Sequence, residues 1–177
     1  MTIELQVDRL EQPGAAAILA DLDRLRDIAG IDLANRGLCR RLDAIAAQTR
    51  AELGLPTSLV TLVLDRAQFI VGSAGLSGWI DAVSGTPIEW SFCVNAVITG
   101  EAYVIEDAAR DPRQRANPLV TQDRIGSYCG VPLVSSSGYL LGAHCVLGDE
   151  PHDYTVNDLL VLRRAGDEIV AVLDEYR

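Results

Sequence analysis

The stretch between residues 107 and 120, DAARDPRQRANPLV, concentrates charged and turn-forming residues in a chain that is otherwise rich in apolar ones. It holds two aspartates, three arginines and two prolines. A guanidinium such as that of Arg113 binds carboxylates and phosphates through paired hydrogen bonds, so this segment could hold an anionic ligand. The alternative is that Arg113 pairs with Asp107 or Asp111 and braces the loop. We favour the brace, because Asp-Pro and Asn-Pro pairs form turns without any ligand.

Cys93 is the second candidate for chemistry. It falls in the first turn of a helix predicted over residues 91–100, where amide N–H groups and the helix dipole lower the pKa of a thiol. A nucleophilic or redox-sensing thiol is one interpretation. The other is a small buried apolar side chain, which the neighbours Phe92, Val94 and Val97 favour.

The other cysteines, Cys39, Cys129 and Cys145, are widely spaced, and no two cysteines form a CxxC pair. The spacing predicts neither a structural zinc site nor a secreted disulfide framework. Cys129 and Cys145 become close neighbours if the strands around Ser137 and Gly138 pair as a hairpin. A reversible disulfide between them is a hypothesis that a reducing compartment disfavours.

The two histidines form no metal cluster. His144 and Cys145 are adjacent in a predicted strand and therefore point to opposite faces, whereas His152 lies in a loop. A metal or haem site needs further ligands that the sequence does not supply. We therefore interpret His144 as a hydrogen-bonded or exposed side chain, and we assign no cofactor.

The composition fits a single globular domain with an added helix. The chain has 177 residues, of which 49% are hydrophobic and 23% are charged, and no long uncharged apolar run predicts a membrane span. Its first residues do not resemble a signal peptide, so we expect a cytoplasmic protein. The formal charge of −10, with no lysine in the chain, argues against nucleic acid as a partner.

Hydrophobic periodicity predicts an α+β domain. Helices are expected over residues 15–29, 35–53 and 91–100 and after Thr155, where Asp158 completes a capping box. Strands are expected over residues 58–65, 68–75, 102–107, 127–136 and 139–148, with two of the connections short enough for hairpins. We divide the chain into an N-terminal helical extension, residues 1–32, and a domain over residues 33–177.

Four segments carry a family resemblance. The order SFC, AYVIEDAARDPRQRANPLV, SYCGVPLVSSSGYLLGAHCVLG and PHDYTVNDLLVLRR resembles a bacterial GAF domain of the signalling type, over roughly residues 33–173. The resemblance implies a central antiparallel sheet of five or six strands with the terminal helices on one face. It also implies an irregular cover with short helices on the other face, and a ligand cavity beneath that cover.

Eight residues of the cover and the sheet are the ligand-binding candidates that follow from this resemblance. They are Trp90, Phe92, Cys93, Asp107, Arg113, Asn117, Leu119 and Tyr128. The segment Pro118-Leu119-Val120 is expected to tuck into the cavity as a lid.

Three functions are consistent with the resemblance. The first is a stand-alone, non-enzymatic sensor that binds an unidentified small molecule and signals to a separate protein or through dimerisation. The second is a cysteine-dependent free methionine-R-sulfoxide reductase, although the glycine-valine-cysteine-glycine segment of that family is missing. The third is a chromophore or cyclic-nucleotide receptor, which the reversed order of His144 and Cys145 and the lack of lysine disfavour.

A homodimer through the N- and C-terminal helices is a further expectation. Ile18, Leu22, Leu25 and Ala29 recur at helical spacing and predict a narrow seam for a second helix. The alternative is that this stripe packs within the same chain. No membrane partner is expected.

Overall fold

A six-stranded antiparallel sheet organises the part of the chain that the computed structural model describes, residues 14–177. The strand order is β3-β2-β1-β6-β5-β4, which places β1 and β6 at the centre. The strands are β1 Thr57–Val63, β2 Ala67–Ala74, β3 Gly85–Pro87, β4 Tyr103–Ile105, β5 Ser127–Val134 and β6 Leu140–Gly148. The predicted α+β architecture and both predicted hairpins are confirmed.

The helices divide between the two faces of the sheet. They are α1 Ala15–Leu19, α2 Leu22–Ala29, α3 Arg36–Leu53, α4 Gly78–Val83, α5 Cys93–Thr99, α6 Pro118–Thr121 and α7 Val156–Asp174, and a 3-10 turn spans Ile88–Trp90. The long helices α3 and α7 pack against one face. The short helices α1, α4, α5 and α6 and the loops between them cover the other face, whereas Ile28 of α2 packs with the long helices.

The apolar stripe of α3 packs directly on the strands. Leu38, Leu42 and Ile45 are buried, as their spacing predicts. The helix approaches β2 so closely that a Cβ atom added at Gly72 would lie 2.6 Å from the Cβ of Leu42. Only glycine fits at that crossing, so the helix layer sits tight on the sheet and leaves no room for a ligand there.

The N-terminal segment departs from the predicted single helix over residues 15–29. The first helix ends at Leu19. Asp21 then caps the start of α2, where its side chain accepts a hydrogen bond from the amide of Arg24. The break rotates the two halves, so that Leu19 and Ile28 are buried while Leu22 is 64% exposed. The predicted seam therefore does not lie along one helix face. The first part of the 1–32 extension lies outside the described residues.

Arg24 attaches this segment to the sheet. Its side chain is buried, and its guanidinium donates to the carbonyl oxygens of Ile18, Leu19, Val63 and Leu140 at distances of 2.6 to 3.1 Å. The planar fork of arginine can reach carbonyl groups from the end of α1, from β1 and from β6 at once. These bonds join the α1 and α2 segment to one end of the central strands.

His144 links the central strand β6 to the helix layer. Its Nδ1–H donates to the carbonyl oxygen of Leu59 at 3.0 Å, and its Nε2 accepts from the Thr49 hydroxyl of α3 at 2.9 Å. Burial lowers the pKa of His144 to about 4. The imidazole is a satisfied core side chain on the face opposite Cys145, in agreement with the alternation along β6.

The depressed pKa of His144 predicts acid sensitivity. The unfolded chain takes up the proton near pH 6.5, whereas the folded chain resists it down to pH 4, so stability is lost as the pH falls through this window. Between pH 7 and pH 5 we expect His144 to cost about 2 kcal/mol of unfolding free energy. In urea unfolding, the stability gap between wild type and His144→Gln should shift by that amount in favour of the variant.

His152→Gln is the matched control, because it removes the other histidine without touching the core. Its pH dependence should follow that of the wild type. A gap between wild type and His144→Gln that stays constant from pH 7 to pH 5 would show that this imidazole is not held neutral by burial.

Candidate functional site

A cavity of about 470 Å³ lies between the cover and the sheet. Its floor comes from β1, β2, β5 and β6, and its roof comes from α4, the start of α5 and the segment from α6 to β5. Its size falls within the range of small-molecule sites in proteins. The structure therefore places a cavity where the family resemblance implied one.

Four of the eight predicted residues line this cavity: Phe92, Cys93, Leu119 and Tyr128. Phe92 and Tyr128 stack with their ring centroids 5.1 Å apart. Leu119 reaches the cavity from the short helix α6, whereas Pro118 and Val120 of the predicted lid do not line it. Together the four lining residues give the cavity an apolar and aromatic wall that favours a flat or apolar part of a ligand.

Two polar residues that the sequence analysis missed form another part of the lining. Gln68 on β2 and Thr86 on β3 face each other across an antiparallel pair, and both are buried. The Ser91 hydroxyl donates to Oε1 of Gln68 at 2.6 Å, which turns the Nε2 amide group away from Ser91. Among the described residues, the buried Thr86 hydroxyl has no hydrogen-bond partner.

The mouth of the cavity is held by a tryptophan from the cover. The indole N–H of Trp79 on α4 donates to Asp123 Oδ1 at 2.7 Å, which connects two segments of the roof. Arg124, next along the chain, has a φ of 61°, an unusual left-handed conformation for a side chain of this size. Asp123, Arg124 and Asp149 bring charged groups to this rim.

Arg113 and Asp107 do not line the cavity. The guanidinium of Arg113 donates to the Asp111 carboxylate, with Nε 2.9 Å from Oδ1, and lies over the Tyr103 ring. Its hydrogen bond with Asp111 raises the pKa of Arg113. Asp107 accepts from the amide of Arg110 within the turn. The geometry agrees with the brace that we favoured over an anion site.

Asn117 does not line the cavity but fixes the start of α6, the helix that carries Leu119. Its side chain caps α6 by accepting from the Leu119 amide at 3.0 Å and donates to the carbonyl oxygen of Trp90 at 3.1 Å. It also donates to Oε1 of Gln114 at 2.9 Å. Trp90 meets Trp79 edge to face, with ring centroids 6.0 Å apart. These contacts tie Leu119 to the segment that carries Phe92.

The cysteines are arranged differently from the Cys129–Cys145 pair considered above. Cys129 pairs with Val146 across the β5–β6 ladder, and Cys145 pairs with Gly130. The one-residue offset puts Cys129 on the helix-layer face and Cys145 on the cavity face. The Cys129–Cys145 pairing is therefore wrong. The sulfur of Cys145 lies instead 3.8 Å from that of Cys93.

Hydrogen bonds polarise this second pair. The hydrogen bond with Cys145 and the bond that the Tyr128 hydroxyl donates from 3.2 Å lower the pKa of Cys93, although burial opposes them. The same bond to Cys93, with burial, raises the pKa of Cys145. Of the two thiols, Cys93 is the one whose pKa these bonds lower, and it lies in an apolar setting of the kind that its neighbours predicted.

Metal and membrane features are lacking over residues 14–177. No group of three or more histidine, cysteine, aspartate or glutamate side chains is placed to hold a metal ion there. Within the same range, every helix is too short or too polar to cross a bilayer.

Comparisons with known proteins agree with this arrangement. The GAF domain model matches residues 38–173. A cyclic di-GMP phosphodiesterase of Pseudomonas aeruginosa is 31% identical over 122 residues, which cover 68% of this chain and 20% of that protein. The match thus spans about a fifth of the relative's length.

Solved structures share the fold at low sequence identity. The GAF domain of an Acinetobacter phosphoenolpyruvate-protein phosphotransferase has a TM-score of 0.64 and 18% identity, over 87% of this chain and 92% of that one. The type II free methionine-R-sulfoxide reductase of Thermoplasma acidophilum has a TM-score of 0.66 and 14% identity, over 82% and 97%. With the match over residues 38–173, the sheet and its cover establish that this chain belongs to the GAF domain family.

Proposed function

We propose that this protein is a non-enzymatic sensor module that binds a small molecule in the cavity between cover and sheet. The observation that carries the proposal is the cavity itself, which combines an aromatic wall with one buried hydroxyl, that of Thr86, that has no hydrogen-bond partner among the described residues. An unpaired buried hydroxyl costs stability, and a ligand that bonds to it recovers that cost.

The lining indicates what kind of molecule fits. Because Oε1 of Gln68 accepts from Ser91, the Nε2 group is the part of this amide that can donate to a carbonyl or carboxylate oxygen of a ligand. Phe92 and Tyr128 favour a flat or apolar body. The rim holds Arg124 beside Asp123 and Asp149, which suits a ligand of mixed polarity more than a polyanion.

Contacts across the fold offer a route from this cavity to the terminal helices. Leu19 of α1 belongs to the same buried cluster as the cover helix α5. At the other end of that segment, Arg177 donates to the carbonyl oxygen of Asp27 at 2.8 Å, and the Asp32 amide donates to the carbonyl oxygen of Tyr176. We infer that cover movements on ligand binding reach the N- and C-terminal helices, which pass the change to a separate signalling protein or to a second copy.

The proposal includes a cytoplasmic location, which four free cysteines support because a reducing compartment keeps thiols reduced.

Ligand binding is tested by removing the Thr86 hydroxyl. We expect native mass spectrometry of the gently purified protein to show a retained small molecule. Thr86→Val keeps the side-chain volume but loses the hydrogen bond, so it should weaken retention by about 1 kcal/mol, roughly fivefold. The same change should stabilise the ligand-free protein, because it removes an unsatisfied buried group.

Ser58→Ala is the matched control. It removes another buried hydroxyl that has no partner among the described residues, but Ser58 does not line the cavity. Retention should therefore stay at the wild-type value. A wild-type protein that retains nothing, and whose melting temperature no metabolite extract raises, would contradict the sensor proposal.

Dimerisation through the terminal helices is tested at Leu22, which is 64% exposed at the start of α2. An exposed leucine on a terminal helix is suited to a contact with a second copy. In sedimentation we expect a dimer for the wild type and a monomer for Leu22→Glu. Phe69→Glu, which adds the same charge at an exposed site on β2, should remain dimeric. A wild-type monomer would refute this mode of signalling.

A methionine-R-sulfoxide reductase is the second candidate. One observation favours it: the Cys93 thiol reaches a ligand-sized cavity and has a second thiol beside it. The sensor proposal predicts no thioredoxin-coupled turnover of free methionine-R-sulfoxide. Turnover that Cys93→Ser abolishes would replace the sensor proposal with the enzyme.

A further inference from the structure

Two cysteines and a tyrosine meet at the cavity wall. The Cys93 and Cys145 sulfurs are 3.8 Å apart, and the Tyr128 hydroxyl lies 3.2 Å from the Cys93 sulfur. Cys93 begins α5 in the cover, and Cys145 lies on the central strand β6 below it. The pair therefore bridges the two layers that enclose the cavity.

Both thiols are reached only from inside the protein. Cys93 is 2% exposed and Cys145 is fully buried, yet both line the cavity. Of the other cysteines, Cys129 lies on the opposite face of the sheet, and the Cys39 sulfur lies near the Leu33 carbonyl at the start of α3. A small oxidant that enters the cavity therefore meets this pair of thiols and is kept from the others.

We propose that Cys93 and Cys145 form a hydroperoxide-responsive dithiol, which closes to a disulfide between the cover and the sheet. This proposal stands on the geometry of the pair and does not depend on which ligand the cavity binds. It is also distinct from methionine sulfoxide reduction, because the protein itself is the only species oxidised.

The chemistry takes two steps. The Cys93 thiolate attacks one peroxide oxygen of ROOH, the O–O bond breaks, and the alkoxide leaves as ROH after taking up a proton, so that Cys93 becomes a sulfenic acid. The Cys145 sulfur then attacks the Cys93 sulfur, and hydroxide leaves as water with the Cys145 proton. Two thiols and one hydroperoxide give one disulfide, one alcohol and one water, and the two sulfurs supply the two electrons.

Tyr128 is the positioning residue for the first step. Its hydroxyl donates to the Cys93 sulfur and stabilises the thiolate, and burial raises the pKa of Tyr128 so that the phenol keeps its proton. Gly130 leaves the space for this contact, because a Cβ atom there would lie 2.2 Å from the tyrosine oxygen. Gly130, two residues after Tyr128 on β5, thus allows the contact between Tyr128 and Cys93.

The disulfide would change the cavity directly. Closing the gap between the sulfurs draws the first residue of α5 towards β6, and the adjacent Phe92 is part of the cavity wall. Oxidation is therefore expected to alter the space that a ligand occupies without a change elsewhere in the sheet.

The test treats the reduced full-length protein with one equivalent of hydrogen peroxide, alkylates the remaining thiols and measures intact and peptide masses. We expect two thiols to be lost, a mass decrease of two hydrogen atoms and full reversal by dithiothreitol. Trypsin leaves Cys129 and Cys145 in one peptide, bounded by Arg124 and Arg163, and Cys93 in another. Cys129→Ser therefore resolves the assignment and should still form the cross-link.

Two variants test the two steps of the oxidation separately. Cys145→Ser should stop at a Cys93 sulfenic acid that dimedone labels. Tyr128→Phe should still form the disulfide, but its rate of oxidation should rise at higher pH than in the wild type, a shift that a purely structural loss would not produce.

Three results would overturn the proposal. They are loss of the cross-link in Cys129→Ser, a disulfide that joins any other pair, and wild-type protein that keeps all four thiols under peroxide.

Discussion

The alternation of side chains along the central strand β6 is the constraint on which the rest of the structure depends. β6 is paired on both sides, with β1 and β5, so its register cannot slip without breaking two ladders. That register sends His144 into the helix layer and its neighbour Cys145 towards the cavity. A slip by one residue would bury the Cys145 thiol under α3 and bring the His144 imidazole to the cavity face.

The two faces of the sheet therefore have different tasks. The helix face is packed so closely that Leu42 contacts the backbone at Gly72, and its one buried imidazole is fully hydrogen-bonded. The cover face is built from short helices that side-chain hydrogen bonds hold in place. Asn117 caps α6, and the indole N–H of Trp79 donates to Asp123. Short elements held by a few hydrogen bonds open at lower free energy than a packed layer, which fits the proposal that a ligand enters from this side.

Local signals in the sequence were sufficient for α3, α5, α7, the two hairpins and the loop, but not for the short elements α4, β3 and α6. Gly100 ends α5, Thr155 and Asp158 form the predicted capping box, and Arg113 braces Asp111. These features depend on residues only a few positions apart, so short-range chemistry predicts them. The family resemblance supplied the position of the cavity, and with it Phe92, Cys93, Leu119 and Tyr128.

Features that depend on contacts distant in the sequence could not be predicted in this way. Gln68 and Thr86 are ordinary strand residues until the register pairs them at the cavity, and Cys93 meets Cys145 only through the folding of the cover onto β6. Asp21 could have indicated the start of a new helix, because aspartate is a good N-cap. The apolar residues on either side of it are also spaced as in one continuous helix, however, and this spacing predicted a single helix. Arg24 gave no signal, since an arginine is expected on the surface.

A crystal structure of the gently purified protein would show directly whether the space between Gln68, Phe92 and Tyr128 is a ligand site, as we propose. We expect electron density in that space which no protein or solvent atom explains, with an oxygen within hydrogen-bonding distance of Gln68 Nε2. A cavity filled by Phe92 and Leu119 collapsed onto Ile70 would contradict it.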